Sequence, residues 1–472
     1  MIPHRPKRVL PLATVTAMVG LLTWWEPAVS SAIAPPVFDP AVDIAPADGV
    51  PGPDFPMKQR SECQTSLVID GTQMTDPPAS LAFGVRDLHR FATGAGQTVA
   101  VIDSGVSKNI RLPHLRGGGD YIMGGDGLED CDNHGTLVAG IIGAAPASAD
   151  NFVGVAPEAA LISLRQTSNA FTPQDGGHDR DAQSASTLSA LARAIVHAAD
   201  LGATVINLSV VSCVKVNVPV DLHSLFGAVH YAAVDKNAVV VAAAGNASDS
   251  HGGGNVGAQC AKNPPPSPES PEDARGWGTV DVLSLPSMFS QYVLSVGGTG
   301  GQMYGDPYGN TMTGPWVGVA APAVDIVSLD PNAGDQGTLV DGQMVQGKAT
   351  PLNGTSFSCA YISGLAALIR QKYPELSAAQ VIRRITYTAH TPAANLAPTL
   401  GFGIVDAKAA LTAEVAVGEW HPPSAASEKL PTSPPPPVVD HTDRTVALAV
   451  GGSAILVAVM VSLVEFIRRQ RR

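Results

Sequence analysis

The sequence predicts an α/β fold: a mostly parallel sheet with helices on both faces. Two observations carry that expectation. Uninterrupted apolar runs of strand length recur along the chain, as strands buried on both faces require. Segments with helical periodicity lie between them, so successive strands must be joined by crossovers and run parallel. Composition is consistent with this. Of 472 residues, 45% are hydrophobic and 15% charged, which allows a large core and excludes a wholly disordered chain. The 48 glycines and 39 prolines imply tight turns and Pro-rich connectors. A net charge of −12, from 29 Lys and Arg against 41 Asp and Glu, argues against a nucleic-acid-binding surface.

Taken in order, Thr98-Val99-Ala100-Val101-Ile102 reads as a doubly buried strand, and Leu161-Ile162-Ser163-Leu164 as another. Ser184 to Leu201 carries Leu188, Leu191, Ile195 and Ala199 at helical spacing, and Gly202 stops it. Thr204 to Leu208 is a strand, Leu222 to Asp235 a helix, and Val239 to Ala243 a strand that ends in a Gly245-Asn246 turn. Tyr292 to Val296 and Val324 to Val327 are read as two more strands. This pattern fills a domain at residues 81–415. A Pro-, Asp- and Gly-rich extension precedes it at 35–80. A Pro-rich surface loop interrupts it at 262–275, and a Pro-rich linker with Pro434 to Pro437 in a row follows at 416–444.

The two ends set the compartment. His4, Arg5, Lys7 and Arg8 precede an apolar run from Val9 to Trp25, and small residues follow at 28–34. That is a secretory signal peptide over residues 1–34, with cleavage expected near Ala32 or Ala34. Val446 to Val464 is apolar and uncharged. At about 1.5 Å per residue it nearly crosses a bilayer core of roughly 30 Å, so a single transmembrane helix is expected over 445–467. Arg468, Arg469, Arg471 and Arg472 follow in a tail, 468–472, that belongs on the cytoplasmic side. The expected location is the cell membrane, with the domain outside the cytoplasm. Cysteines can pair there. Cys63, Cys131, Cys213 and Cys260 lie in loop-like sequence and allow three connectivities. Cys359 lies in an apolar helical stretch and reads as a free buried thiol.

Three segments carry the chemistry. Val99 to Val106 ends a buried strand on Asp103 before Gly105, and ligands of open parallel sheets sit outside the carboxyl ends of strands. Asp132-Asn133-His134-Gly135-Thr136 opens a helix of small residues on a histidine. Asn353-Gly354-Thr355-Ser356 opens a helix that is apolar on nearly every side, so its free N–H groups and dipole favour an oxyanion near Ser356. Each alone has a plainer role, as turn former, helix cap or N-cap. Together they stand in the order Asp, His, Ser.

At these three motifs the sequence resembles the subtilisin-like serine proteases. Further matches are Val241 to Asn246, Gly154-Val155-Ala156-Pro157 and Val319-Ala320-Ala321-Pro322, and the resemblance covers about residues 90–412. It implies a subtilisin-like fold and a serine endopeptidase with protein or peptide substrates. Ser356 would be the nucleophile, His134 the base, Asp103 its orienting carboxylate and Asn246 an oxyanion-hole donor. There are departures: Ser358-Cys359-Ala360 stands where the family commonly has Ala-Ser-Pro, and Val210-Val211 where glycines are common. These imply narrow specificity. With its signal peptide, extension, linker and Arg-ended span, the layout resembles the mycosins, membrane-anchored subtilases of type VII secretion systems. That resemblance implies Cys63–Cys131 and Cys213–Cys260 bridges, an extension wrapped on the domain, and a secretion membrane complex as partner. Two alternatives stand beside it: a mainly structural component of that complex with dispensable proteolysis, and a secreted degradative subtilase. No H-E-x-x-H and no dense Asp/Asn loop occurs, so neither metal nor other cofactor is expected, with weak calcium binding left open.

Overall fold

The structure is a computed structural model that describes residues 33–174, 180–218, 220–247, 260–392, 397–418 and 420, and isolated positions 464, 467 and 468. The expected signal peptide (but for residues 33 and 34), most of the linker and nearly all of the expected 445–467 span and tail therefore lie outside the described residues. Among the described residues no helix is long and apolar enough to cross a membrane.

The strands of the central sheet are β1 (Thr98–Asp103), β2 (Leu115–Asp120), β3 (Ala160–Arg165), β4 (Val205–Leu208), β5 (Val239–Ala243), β6 (Val293–Gly300), β7 (Asp306–Pro307) and β8 (Val317–Pro322). The spatial order is β2-β3-β1-β4-β5-β6, with β8 also paired to β6. All these pairings are parallel; the two-residue β7 alone runs antiparallel, against the end of β6. The fold is thus α/β with a mostly parallel sheet. The helices are α1 (His134–Gly143), α2 (Arg180–Asp200), α3 (His223–His230), α4 (Thr355–Lys372) and α5 (Ala378–Tyr387).

Alternate residues of each strand feed two separate cores. Val99 and Val101 of β1, Leu161 of β3, Val205 of β4 and Val239 and Val241 of β5 join α1, α4 and α5 on one face. Ala100, Ile102, Ile162, Leu164, Ile206, Leu208, Val240 and Ala242 join α2 and α3 on the other. Two dry faces explain why these strands read as continuous apolar runs and not as alternating ones. Helix α4 is buried along nearly its whole length. Each of Phe357, Ile362, Leu365, Leu368 and Ile369 contributes roughly 1.5–3 kcal/mol by leaving water.

One expected strand is absent. Val324 to Val327 is not a strand: Asp325 takes a left-handed conformation, φ 53°, in a bend. Its β-branched residues misled, because the place beside β6 is taken by β8, whose Gly, Ala and Pro carry little strand propensity. The helix read from Leu222 begins at His223 and passes into a π-helical turn, Tyr231–Asp235.

Residues 35–80 run over the domain. Met57–Gln59 pairs antiparallel with Phe171–Pro173, and Ser66–Leu67 with the Gly342–Val345 strand. Asp43 meets His223 at 2.7 Å, Asp48 meets His197 at 2.8 Å, and Phe38 stacks on His230. Two disulfides are formed, Cys63–Cys131 and Cys213–Cys260, closing 68 and 47 residues, and Cys359 is a buried free thiol. In the chain-entropy account each closure is worth about 4 kcal/mol. Changing Cys63 and Cys131 together to serine is expected to lower the unfolding free energy by up to about 4 kcal/mol, read from urea titrations; a loss below ~1 kcal/mol would contradict this account.

Candidate active site

The carboxyl edge of the parallel strands gathers the candidate residues. Asp103 is the last residue of β1 and fully buried. Its Oδ1 accepts from the Ser104 N–H at 2.7 Å and lies 2.7 Å from His134 Nδ1. His134 opens α1 directly after Asn133, which is left-handed at φ 66°. The approach of α1 to β1 depends on Gly135, where a Cβ would lie 2.0 Å from the Gly105 carbonyl oxygen and 3.1 Å from Asp103 Cβ. Any side chain there would push the imidazole off the carboxylate.

A second buried carboxylate ties the same two elements together. Asp130 accepts from Ser104 Oγ at 2.8 Å, from the Thr136 N–H at 2.8 Å and from Thr136 Oγ1 at 2.6 Å. Ser104 Oγ in turn accepts from the Gly135 N–H at 3.0 Å. Burial pushes the Asp130 carboxyl up to about 6, against the hydrogen bonds from Thr136 and Ser104, and the nearby Asp103 charge pushes the same way. Burial also opposes protonation of His134. The charge and hydrogen bond of Asp103, with Asp130 and Asp132 behind them, outweigh it and raise the imidazole above its ordinary 6.5.

Ser356 is the second residue of α4 and almost fully buried, 6% exposed. Gly354 precedes the helix at φ 150°, ψ 156°, a region open essentially to glycine alone. Phe357, next along, sets its ring 5.7 Å from the His134 ring. The Ser356 hydroxyl does not point to His134. It donates to the Ser209 carbonyl just beyond β4, at 2.9 Å, and no hydrogen bond joins His134 to Ser356 among the described residues. The structure therefore closes the Asp103–His134 pair and parks the hydroxyl on the neighbouring strand end.

Asn246 follows β5 and is anchored through its oxygen, which accepts from the Thr355 N–H at 3.0 Å and from Thr355 Oγ1 at 3.2 Å. A Cβ on Gly354 would come within 3.2 Å of Asn246 Nδ2, so glycine leaves the amide room beside the start of α4. Cys359 lies one turn below Ser356 and donates its thiol to Asn207 Oδ1 at 3.2 Å; burial raises that thiol to about 12. Sequence reasoning passed over Asp130, Ser104, Thr136, Asn207 and Ser209. Asp130, four residues ahead of His134, was the discoverable one. Among the described residues no group of three or more His, Cys, Asp or Glu is placed to hold a metal ion.

Asp103, His134, Ser356 and Asn246 thus gather as candidate residues at one edge of a subtilisin-like sheet. Residues 94–407 match the subtilase family, and the chain belongs to that family of serine endopeptidases. It is 45% identical to Mycosin-1 of Mycobacterium tuberculosis, across 96% of this chain and 98% of that protein, and 44% identical to Mycosin-3 of the same organism, across 97% and 98%. These likenesses put it in the mycosin branch of the subtilases. Among solved structures it resembles one described as the MycP3 protease of the type VII (ESX-3) secretion system, at 46% identity and TM-score 0.75, across 81% of this chain and all of that one. It also resembles a chain of an intact ESX-5 inner membrane complex, at 41% identity and TM-score 0.75, across 91% and 99%.

The Asp103 contact makes a spectroscopic prediction. In two-dimensional NMR of the imidazole, His134 should titrate above 6.5, and Asp103→Asn should lower its midpoint. An unchanged midpoint in that variant would show that the contact does not hold the proton.

Proposed function

We propose that this chain is a membrane-anchored subtilisin-like endopeptidase, working outside the cytoplasm on substrates of a type VII secretion system and supporting its membrane complex. The 2.7 Å contact between Asp103 and His134, beside a nucleophile-bearing helix start, carries the enzymatic part. In this reading the Ser356 hydroxyl rotates from the Ser209 carbonyl toward His134 Nε2. It gives up its proton there and attacks the scissile carbonyl. His134 later returns the proton to the leaving amine, while Asp103 fixes the ring and balances its charge. Asn246 Nδ2 and the Ser356 N–H hold the oxyanion, helped by the dipole of α4.

The relatives' membership of secretion systems supports the setting. The basic, apolar N-terminus and the uncharged Val446 to Val464 run before four arginines support a domain outside the membrane and a cytoplasmic tail. A second reading, a chiefly structural role, draws on the parked hydroxyl of Ser356 and on the likeness to a chain within an ESX-5 inner membrane complex.

Ser356→Ala should abolish covalent labelling by a fluorophosphonate and erase wild-type-specific N-termini from the secreted and envelope proteomes. Labelling that persists in the variant would end the catalytic assignment. Secretion that persists in the same cells would favour the structural reading over processing as the essential role. Asn246→Ala should keep fluorophosphonate binding capacity but lower kcat on the order of 10²–10³-fold, the magnitude known for the loss of such a donor in a subtilisin; a change below tenfold would remove Asn246 from the oxyanion hole.

A further inference from the structure

Behind the nucleophile lies a buried polar chain that the reaction as written does not use. Asn207, on β4, is fully buried among apolar neighbours. A buried amide is costly unless its donors and acceptor are engaged. Its Oδ1 accepts from Cys359 Sγ at 3.2 Å and from Ser363 Oγ at 2.9 Å, both on α4. Its Nδ2 donates to Ser209 Oγ at 2.7 Å. Ser209 Oγ donates onward to the Ser356 main-chain carbonyl at 3.2 Å, and the Ser209 carbonyl accepts from Ser356 Oγ at 2.9 Å. One side chain therefore joins the strand end to the nucleophile helix at two levels, one turn and two turns below Ser356, and reaches the nucleophile itself through Ser209.

We propose that Asn207 is a positioning residue for the nucleophile, acting through Ser209 to set where the Ser356 main chain and hydroxyl stand against the end of β4. This rests on Ser356 being the nucleophile. The pleat explains why an amide is needed. Val205, Ile206 and Leu208 face dry cores, yet β4 must stop at a fixed height for Ser209 to meet the start of α4. An apolar residue at 207 would leave Ser209 Oγ, Cys359 and Ser363 without their shared partner, and the strand end could shift relative to the helix. A displacement of about 1 Å at a reacting group can cost on the order of 100-fold in rate.

The test uses the detergent-solubilised full chain, with Asn207→Leu, Ser209→Ala and the pair combined. Active sites are counted by fluorophosphonate incorporation. Acylation is followed as the p-nitrophenolate burst from p-nitrophenyl acetate, an activated ester too small to report on side-chain pockets. Each single variant should slow the burst per active site on the order of 10- to 100-fold with KM little changed. The double variant should be no slower than the slower single, because both act along one path. An unchanged burst rate per active site in Asn207→Leu would overturn the proposal, as would losses that multiply in the double variant. If Asn207→Leu does not fold, Ser209→Ala decides alone: it removes one oxygen, keeps the carbonyl that Ser356 uses, and should still slow the burst. A wild-type chain that neither labels at Ser356 nor gives a burst would instead defeat the underlying reading of the site.

Discussion

The molecule is organised by a sheet that must stay dry on both faces. Val99, Val101, Ala100 and Ile102 of β1 are all inaccessible to water, two on each side. Within such a strand a buried polar side chain is costly unless it finds a partner, as Ser163 does in the Gly127 carbonyl and Asn207 in Ser209, Cys359 and Ser363. The candidate site residues stand instead where the strands run out. Asp103, Ser209 and Asn246 stand at or just beyond the carboxyl ends of β1, β4 and β5. Helix α4 completes the arrangement because its burial against the same sheet fixes its first turn at that edge. The site is the boundary condition of the core.

Placing two carboxylates at that edge creates an electrostatic problem that the local hydrogen bonds resolve unevenly. Asp103 faces a group that can become a cation, and its charge is answered by His134. Asp130 is buried and faces only hydroxyl and amide donors, whose hydrogen bonds do not offset the burial, so its carboxyl is held up near 6. That sign has a consequence for stability. Folding favours the protonated acid, so the cost of keeping Asp130 ionised is absent well below its ordinary 3.8 and complete above about 6. The enzyme tolerates this cost at neutral pH because Asp130 locks Ser104 to Thr136 and so holds β1 against α1. The same ionisation adds to the field that raises His134. Stability and basicity are thus set against each other at this carboxylate.

What the sequence made legible followed from periodicity and chain order. Asp103 announced itself by ending an apolar run, His134 and Ser356 by opening helices, and the resemblance at their motifs gave them roles. What stayed hidden depended on contacts across long separations. Asn207 meets Cys359 and Ser363 more than 150 residues away; it stands out as the polar residue of an apolar run, but nothing local says what it meets. The disulfide partners were open on spacing alone and came only from resemblance. Val324 to Val327 failed as a strand because propensity is weaker than the competition for a place beside β6. The 262–275 loop lies at the surface as read, and a single buried residue, Asn263, bonded to Val282 and Thr313, anchors it. Composition describes a segment, but not the one residue that anchors it.

The residues ahead of the domain share its stability. They are tied at five places to partners spread through the domain: the His223 and His197 contacts, the Met57–Gln59 pairing, the Cys63–Cys131 bridge and the Ser66–Leu67 pairing. The bridge falls three residues before His134 and is flanked by two further bonds, from the Gln64 N–H to the Cys131 carbonyl at 2.7 Å and from Asn133 Nδ2 to the Gln64 carbonyl at 2.9 Å. Asn133 is the left-handed residue that starts α1. The conformation placing His134 is therefore held from outside by the segment at 63–64 and from inside by Asp130. A segment bonded in this way cannot leave by simple dissociation, because its departure would break a covalent link and release the start of α1 together.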